Sequence, residues 1–147
     1  MIRRFQQHDT ESVLKIWLDA SIDAHDFIPR QFWESNVDAM RETYLPMAET
    51  YVWDAEGSVR GFVSLCGDTL AAIFVSPEFQ AMGIGTRLMA QAKAVRRSLN
   101  LTVYKENDKS IAFYRKCGFE IASEQIDEHT GHPELVMVFD GDRPPTK

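Results

Sequence analysis

Two periods of apolar spacing alternate along the chain. A short run, Ile2 to Phe5, reads as a strand. From Asp9 onward, Val13, Ile16, Trp17, Ala20 and Ala24 fall on one face of a helix. Asp9 or Thr10 is the expected cap, because a side-chain oxygen there can accept from the first free N–H groups. Phe27-Ile28-Pro29 breaks the helix, since the residue before a proline avoids the helical region. A second helix, Gln31 to Thr43, is expected to turn Phe32, Val37, Met40 and Tyr44 inward, with Pro46 closing it. Strand-like runs follow at Thr50 to Trp53, Val59 to Cys66 and Leu70 to Ser76, with turns at 54–58 and at Gly67-Asp68. They predict an antiparallel meander. A long helix runs from Gly85 to Leu99, with Leu88, Met89, Ala92, Val95 and Leu99 on one side. Leu101 to Tyr104 is a strand, and Ser110 to Lys116 is a short helix stopped by Gly118. Phe119 to Ile126 and Glu134 to Phe139 are closing strands.

The order β-α-α-β-β-β-α-β-α-β-β predicts one α+β domain over residues 1–140 with a mixed sheet. A frayed tail is expected over 141–147, where Pro144-Pro145 lies. A chain of 147 residues suits one domain and buries a core without staples. The longest apolar run, Leu70 to Val75, is far short of the ~20 residues that span a bilayer. The start, with no apolar stretch behind Arg3 and Arg4, does not read as a secretory signal. Cys66 and Cys117 are too few and too far apart for a disulfide framework, which makes a reducing cytoplasm the simplest setting. His129 and His132 lack neighbouring cysteines, so a solvated loop is the expected reading there, and no metal.

The net charge of −6 disfavours a nucleic-acid binder. Its distribution changes the picture further. Residues 80–118 carry eight basic side chains against Glu106 and Asp108, while residues 8–49 carry nine acidic against three basic. A basic half suits an anionic ligand and an acidic half a cationic one, although on charge alone plain solvated helix faces are the simpler reading.

Residues 70–89 carry the most chemistry. A buried strand runs into Ser76-Pro77, and Gly83-Ile84-Gly85 then opens the long helix. Glycines let the backbone aim its N–H groups at one point, and the helix start adds free N–H groups and partial positive charge. Together they form an anion site fit for a pyrophosphate. No Gly-Lys-Ser/Thr follows, and Leu88 stands where a third glycine of a dinucleotide fingerprint belongs. A plain glycine-rich helix entry remains open on this stretch alone.

Gln80-Ala81-Met82-Gly83-Ile84-Gly85 resembles the Q/R-x-x-G-x-G/A motif of the GNAT superfamily of N-acetyltransferases. Asn107 to Phe119 is similar to that family's N-x-x-[AS]-x-x-[FL]-Y-x-x-x-G-F segment. Ile16-Trp17-Leu18 and His25-Asp26-Phe27-Ile28 resemble the small bacterial YiaC-type subgroup. The resemblance implies a sheet with helices on both faces and two central parallel strands, 70–76 and 101–104, splayed apart. It implies acetyl-CoA as co-substrate. Backbone N–H groups of Gln80, Ala81, Met82, Gly83, Ile84, Gly85 and Thr86 would hold its pyrophosphate. The edge of Ile73, Phe74 and Val75 would pair with the pantetheine arm, and an amide of Phe74 or Val75 would polarise the thioester carbonyl. Asn107 would contact the arm, cap the following helix, or both. Tyr114 matches the family's general acid; packing beside Phe113 is its plain alternative.

An ammonium acceptor must lose a proton before it attacks. Many protein-acetylating relatives place a glutamate five residues before the motif asparagine; here that position is Thr102. His25 and Asp26, in the break that would frame the acceptor site, are the candidate bases, with Glu106 and Glu134 weaker ones. The acidic segment 8–49 would border the acceptor mouth. That points to a cationic amine such as a protein lysine or a polyamine, its stem held by some of Trp17, Phe27, Phe32 and Trp33. Two other readings stay open: a CoA sensor without turnover, kept alive by Thr102, and a nucleotide-binding regulatory domain resting on the glycine loop. Either a monomer or a homodimer fits.

Overall fold

The alternation along residues 49–75 becomes an antiparallel meander of β2 (Glu49–Ala55), β3 (Ser58–Cys66) and β4 (Thr69–Val75). In the computed structural model of the chain, which describes residues 1–142, β1 (Ile2–Arg4) pairs with β2. Beyond β4 lie β5 (Ser98–Tyr104), β7 (Pro133–Asp140) and β6 (Glu120–Ile126). The seven strands form one sheet in the order β1-β2-β3-β4-β5-β7-β6. All pairs are antiparallel except β4–β5. Val52, Phe62 and Phe74 stand in register on one face, and Tyr51, Val63 and Ile73 on the other. This meander therefore needs cover on both faces.

Helix α1 (Thr10–Ala24) covers the first face, with Val13, Ile16 and Trp17 packed on Val52 and Phe62. Helix α2 (Arg30–Ser35) adds Trp33 to the same cluster. On the other face, α3 (Ile84–Val95) buries Leu88, Met89 and Ala92 against Val63, Leu65 and Leu101. Burying each large side chain is worth roughly 1.5–3 kcal/mol. Gly61 lets α3 approach β3: a Cβ there would lie 3.1 Å from both Leu88 Cδ1 and the Phe74 carbonyl oxygen. Helix α4 (Asp108–Lys116) follows β5. No helix among the described residues is long and apolar enough to cross a membrane.

The structure corrects three expectations of local structure. The helix expected over Gln31 to Thr43 is broken at Asn36 and continues through a π-helical turn, Met40–Tyr44, and Leu45–Met47, with Pro46 inside its last piece. The wide turn inserts a residue and rotates the face. Leu45 is buried as a result, and Tyr44, expected inward, is exposed. Leu99 belongs to β5, because the long helix ends at Val95. Neither Asp9 nor Thr10 caps α1 with its side chain. The Asp9 carboxylate instead accepts from the Gln6 N–H and takes both ends of the Arg3 guanidinium. The expected tail falls mainly on 143–147, outside the described residues; Gly141 N–H still bonds to the Arg97 carbonyl.

The two halves of the sheet meet at β4 and β5. Their only paired position is Thr69 with Asn100, beside a Thr69 Oγ1 to Asn100 Oδ1 hydrogen bond of 2.8 Å. Past that point the strands diverge, and among the described residues the β4 edge from Leu70 to Val75 has no partner strand on that side.

Candidate active site

The divergence opens a cleft of about 970 Å³ through the sheet. Ile73, Phe74 and Val75 line it, as do Gln80, Ala81 and Gly85 at the entry to α3, and Asn107 and Tyr114 of the α4 segment. Two left-handed residues, Ala81 (φ 65) and Gly83 (φ 83), shape the loop before α3. Alternating backbone handedness turns successive N–H groups toward one point, making an anion nest, and the α3 N-terminus adds its own. Met82, Gly83 and Thr86 are exposed and do not line the cleft, and the Ile84 side chain belongs to the core. Gln80 Nε2 donates to the Val75 carbonyl at 3.1 Å, tying the loop to the end of β4. A free strand edge leading to an anion nest fits an extended amide-bearing arm ending in a pyrophosphate.

Asn107 caps α4: its Oδ1 accepts from the Ser110 N–H at 3.2 Å. Its Nδ2 lies 3.3 Å from His25 Nε2 in a buried contact. His25 Nδ1 lies 2.8 Å from the Ser21 carbonyl oxygen. A carbonyl only accepts, so Nδ1 carries the proton and Nε2 accepts from Asn107. Burial lowers the His25 pKa, which keeps the ring neutral. The ring also stacks on Trp33 at a centroid distance of 5.0 Å. Both His25 ring nitrogens are engaged, Nδ1 with the Ser21 carbonyl four residues away and Nε2 with Asn107, 82 residues away. Asp26 is exposed in the turn after α1 and does not line the cleft.

Tyr114 sits on α4 between Phe113 and Phe119, with ring centroids 5.6 and 5.8 Å away. Burial pushes its phenol above the usual range, so it holds its proton at neutral pH. On the opposite side of the cleft, the Tyr104 hydroxyl donates to Asp127 Oδ2. Burial works to raise the Asp127 carboxyl, but bonds from Tyr104, the His129 N–H and Thr130 outweigh it and hold it low. Trp17, Phe32 and Trp33 line this side together with Asp23 and Glu134. Trp17 and Trp33 are also core residues, and the Trp33 Nε1 has no hydrogen-bond partner among the described residues. His132 pairs with Glu106 at 3.1 Å, and no group of three or more metal-ligating side chains occurs among the described residues.

Tyr104 and Asp127 escaped the sequence reading. The only local sign was Asp127 opening an Asx turn, with the His129 N–H at 3.0 Å from its Oδ1.

A splayed β4–β5 pair, an anion nest at the following helix and a protonated tyrosine across from them define an acyl-CoA-dependent N-acetyltransferase with acetyl-CoA as co-substrate. The chain belongs to the GNAT family: the model of the acetyltransferase (GNAT) domain matches residues 46–121. It is 35% identical to the peptidyl-lysine N-acetyltransferase YiaC of Escherichia coli (strain K12), over 95% of this chain and 96% of that one. The solution structure of apo YjaB from Escherichia coli superposes with a TM-score of 0.83 at 26% identity, covering 96% of this chain and 97% of that one. The PaiA N-acetyltransferase of Thermoplasma acidophilum, solved in complex with coenzyme A, shares the fold with a TM-score of 0.82 at 19% identity, over 95% and 98% of the two chains.

Proposed function

We propose that the chain acetylates the ε-amine of lysine side chains in proteins, by direct transfer without a covalent enzyme intermediate. The observation that carries this reading is the make-up of the cleft's second side. Asp23, Asp127 and Glu134 supply negative charge, and Trp17, Phe32 and Trp33 supply an aromatic wall. An alkyl stem ending in an ammonium matches both. The relatives YiaC and YjaB, named as peptidyl-lysine N-acetyltransferases, support the same acceptor.

Acetyl-CoA supplies an activated acyl carbon and a sulfur leaving group. Backbone N–H groups of residues 80–86 hold the pyrophosphate, and the β4 edge at Ile73, Phe74 and Val75 pairs with the pantetheine arm. An amide of Phe74 or Val75 donates to the thioester oxygen as negative charge develops there. Asn107 keeps one Nδ2 hydrogen for the arm, the other being given to His25. Tyr114 donates its proton to the departing sulfur.

The test is free-thiol release from acetyl-CoA against lysine peptides, peptides with only a free α-amine, polyamines and aminoglycosides. Lysine peptides are expected to turn over fastest, and Tyr114→Phe to lose ~10²-fold or more in kcat with acetyl-CoA affinity kept. Turnover confined to polyamines or α-amines would overturn the acceptor assignment.

A further inference from the structure

A lysine ammonium, with a pKa near 10.4, is about one part in a thousand free amine at pH 7.5, so the enzyme gains from a proton acceptor in the cleft. Thr102, at the position where the family resemblance implies a carboxylate, carries a hydroxyl. We propose that Glu134, on the neighbouring strand β7, is that acceptor. The inference rests on the lysine-acetyltransferase reading and assigns it the missing base.

Strand register places the group. Tyr104 stands opposite Glu134, and Thr102 stands opposite Val136. Opposite residues in an antiparallel pair share a face, so Glu134 and Thr102 project to the same side as diagonal neighbours, roughly 7–8 Å apart. Both line the cleft. The carboxylate has in effect moved one strand across the sheet while keeping the face that the acceptor meets. From the other flank, Gln125 of β6 pairs with Glu134, and its Nε2 donates to Glu134 Oε1 at 2.8 Å. That bond orients the carboxylate, and Oε2 has no hydrogen bond among the described residues.

The other titratable groups around the cleft are engaged or placed elsewhere. Asp127 accepts three hydrogen bonds, from Tyr104, Thr130 and the His129 N–H. His25 has both ring nitrogens bonded. Tyr104 holds its own proton against Asp127, its phenol raised by burial, by that bond and by the nearby Glu134 charge. Asp23 is exposed at the end of α1 and suits attraction of the ammonium; His129 and Lys109 also line the cleft.

Protons balance as follows. Glu134 takes one proton from the ammonium and passes it to solvent. The freed nitrogen bonds to the acyl carbon as the carbon–sulfur bond breaks. Tyr114 gives its proton to the sulfur, and the second proton shed by the nitrogen restores the Tyr114 hydroxyl through water. One proton is released per turnover.

The experiment is kcat and KM for a lysine peptide from pH 6.5 to 10, at saturating acetyl-CoA. It compares wild type, Glu134→Gln, and Thr102→Glu in the Glu134→Gln background, with acetyl-CoA affinity of each measured by calorimetry as the check on folding. Glu134→Gln is expected to lose ~10²-fold in kcat at pH 7.5. The deficit should shrink toward pH 10, where the acceptor deprotonates unaided, and Thr102→Glu should recover most of it. Asp23→Asn should raise the peptide KM and leave the shape of the pH profile alone. A Glu134→Gln enzyme within threefold of wild type, or a deficit constant across pH with no recovery by Thr102→Glu, overturns the assignment. If wild type ignores lysine peptides but accepts another amine, only the acceptor reading fails, and the same comparison on that amine decides the role of Glu134. No turnover on any amine sinks both.

Discussion

Replacing Asn107 by alanine tests the joint between the two sides of the cleft. The side chain is 7% exposed and serves two partners, the Ser110 N–H at the start of α4 and His25 Nε2 on the far layer. Loss of the cap costs about 1 kcal/mol. Loss of the donor leaves a buried imidazole nitrogen unpartnered, at a cost of about 1–3 kcal/mol. The sum is roughly 2–4 kcal/mol. In urea, with a slope near 2 kcal/mol/M, the midpoint falls by about 1–2 M at unchanged slope. In a His25→Ala background the same change should cost only the cap, because no nitrogen is left to orphan. Asn107→Asp separates the two roles. It keeps the oxygen that caps α4, but sets an acceptor against the Nε2 lone pair, so His25 must take up a proton. A His pKa raised by folding stabilises fully below the unfolded value near 6.5 and less as pH rises through the folded value. The aspartate variant should therefore be relatively more stable at pH 5.5 than at pH 7.5. A loss below about 0.5 kcal/mol in Asn107→Ala, or the wild-type pH trend in Asn107→Asp, would refute the linkage.

Wild type should show the opposite trend. Burial depresses the His25 pKa, so the unfolded chain binds a proton near pH 6.5 that the native state refuses. Stability is then complete above pH 6.5 and falls, by at most about 1.4 kcal/mol per pH unit, as pH drops toward the folded value. Urea melts from pH 7.5 to 5.5 should show that slope, and His25→Gln should remove it. Gly61→Ala should destabilise by about 1–3 kcal/mol, read as a lower melting temperature, because the Phe74 carbonyl 3.1 Å from the new Cβ is backbone and cannot step aside.

Much of the fold was legible because burial on a sheet or helix leaves a local period. The meander over 49–75, α1 and the α3 face of Leu88, Met89 and Ala92 are all written in apolar spacing. The glycine loop was legible because left-handed backbone selects residue types locally. The phase of residues 40–45 was not, since a π turn leaves no separate mark in spacing. Leu99 extends the helical stripe by arithmetic, yet pairs with Phe139 in β5. An apolar residue at a helix end satisfies either period.

The sequence by itself determined the class of protein: the element order, the anion loop at Gly83, and the family motifs carrying Asn107 and Tyr114 are all local. Only the tertiary structure decided which partners the charged and titratable groups meet. His25 lies in the break after the first helix, and the fold buries it against Asn107, 82 positions away, and gives each ring nitrogen a partner. Glu134 is one of the weaker candidate bases in the sequence, and only the pairing of β7 with β5 puts it on the same face as Thr102. Proton affinity depends on burial and on partners within a few ångströms, and in a sheet those partners come from strands distant in sequence.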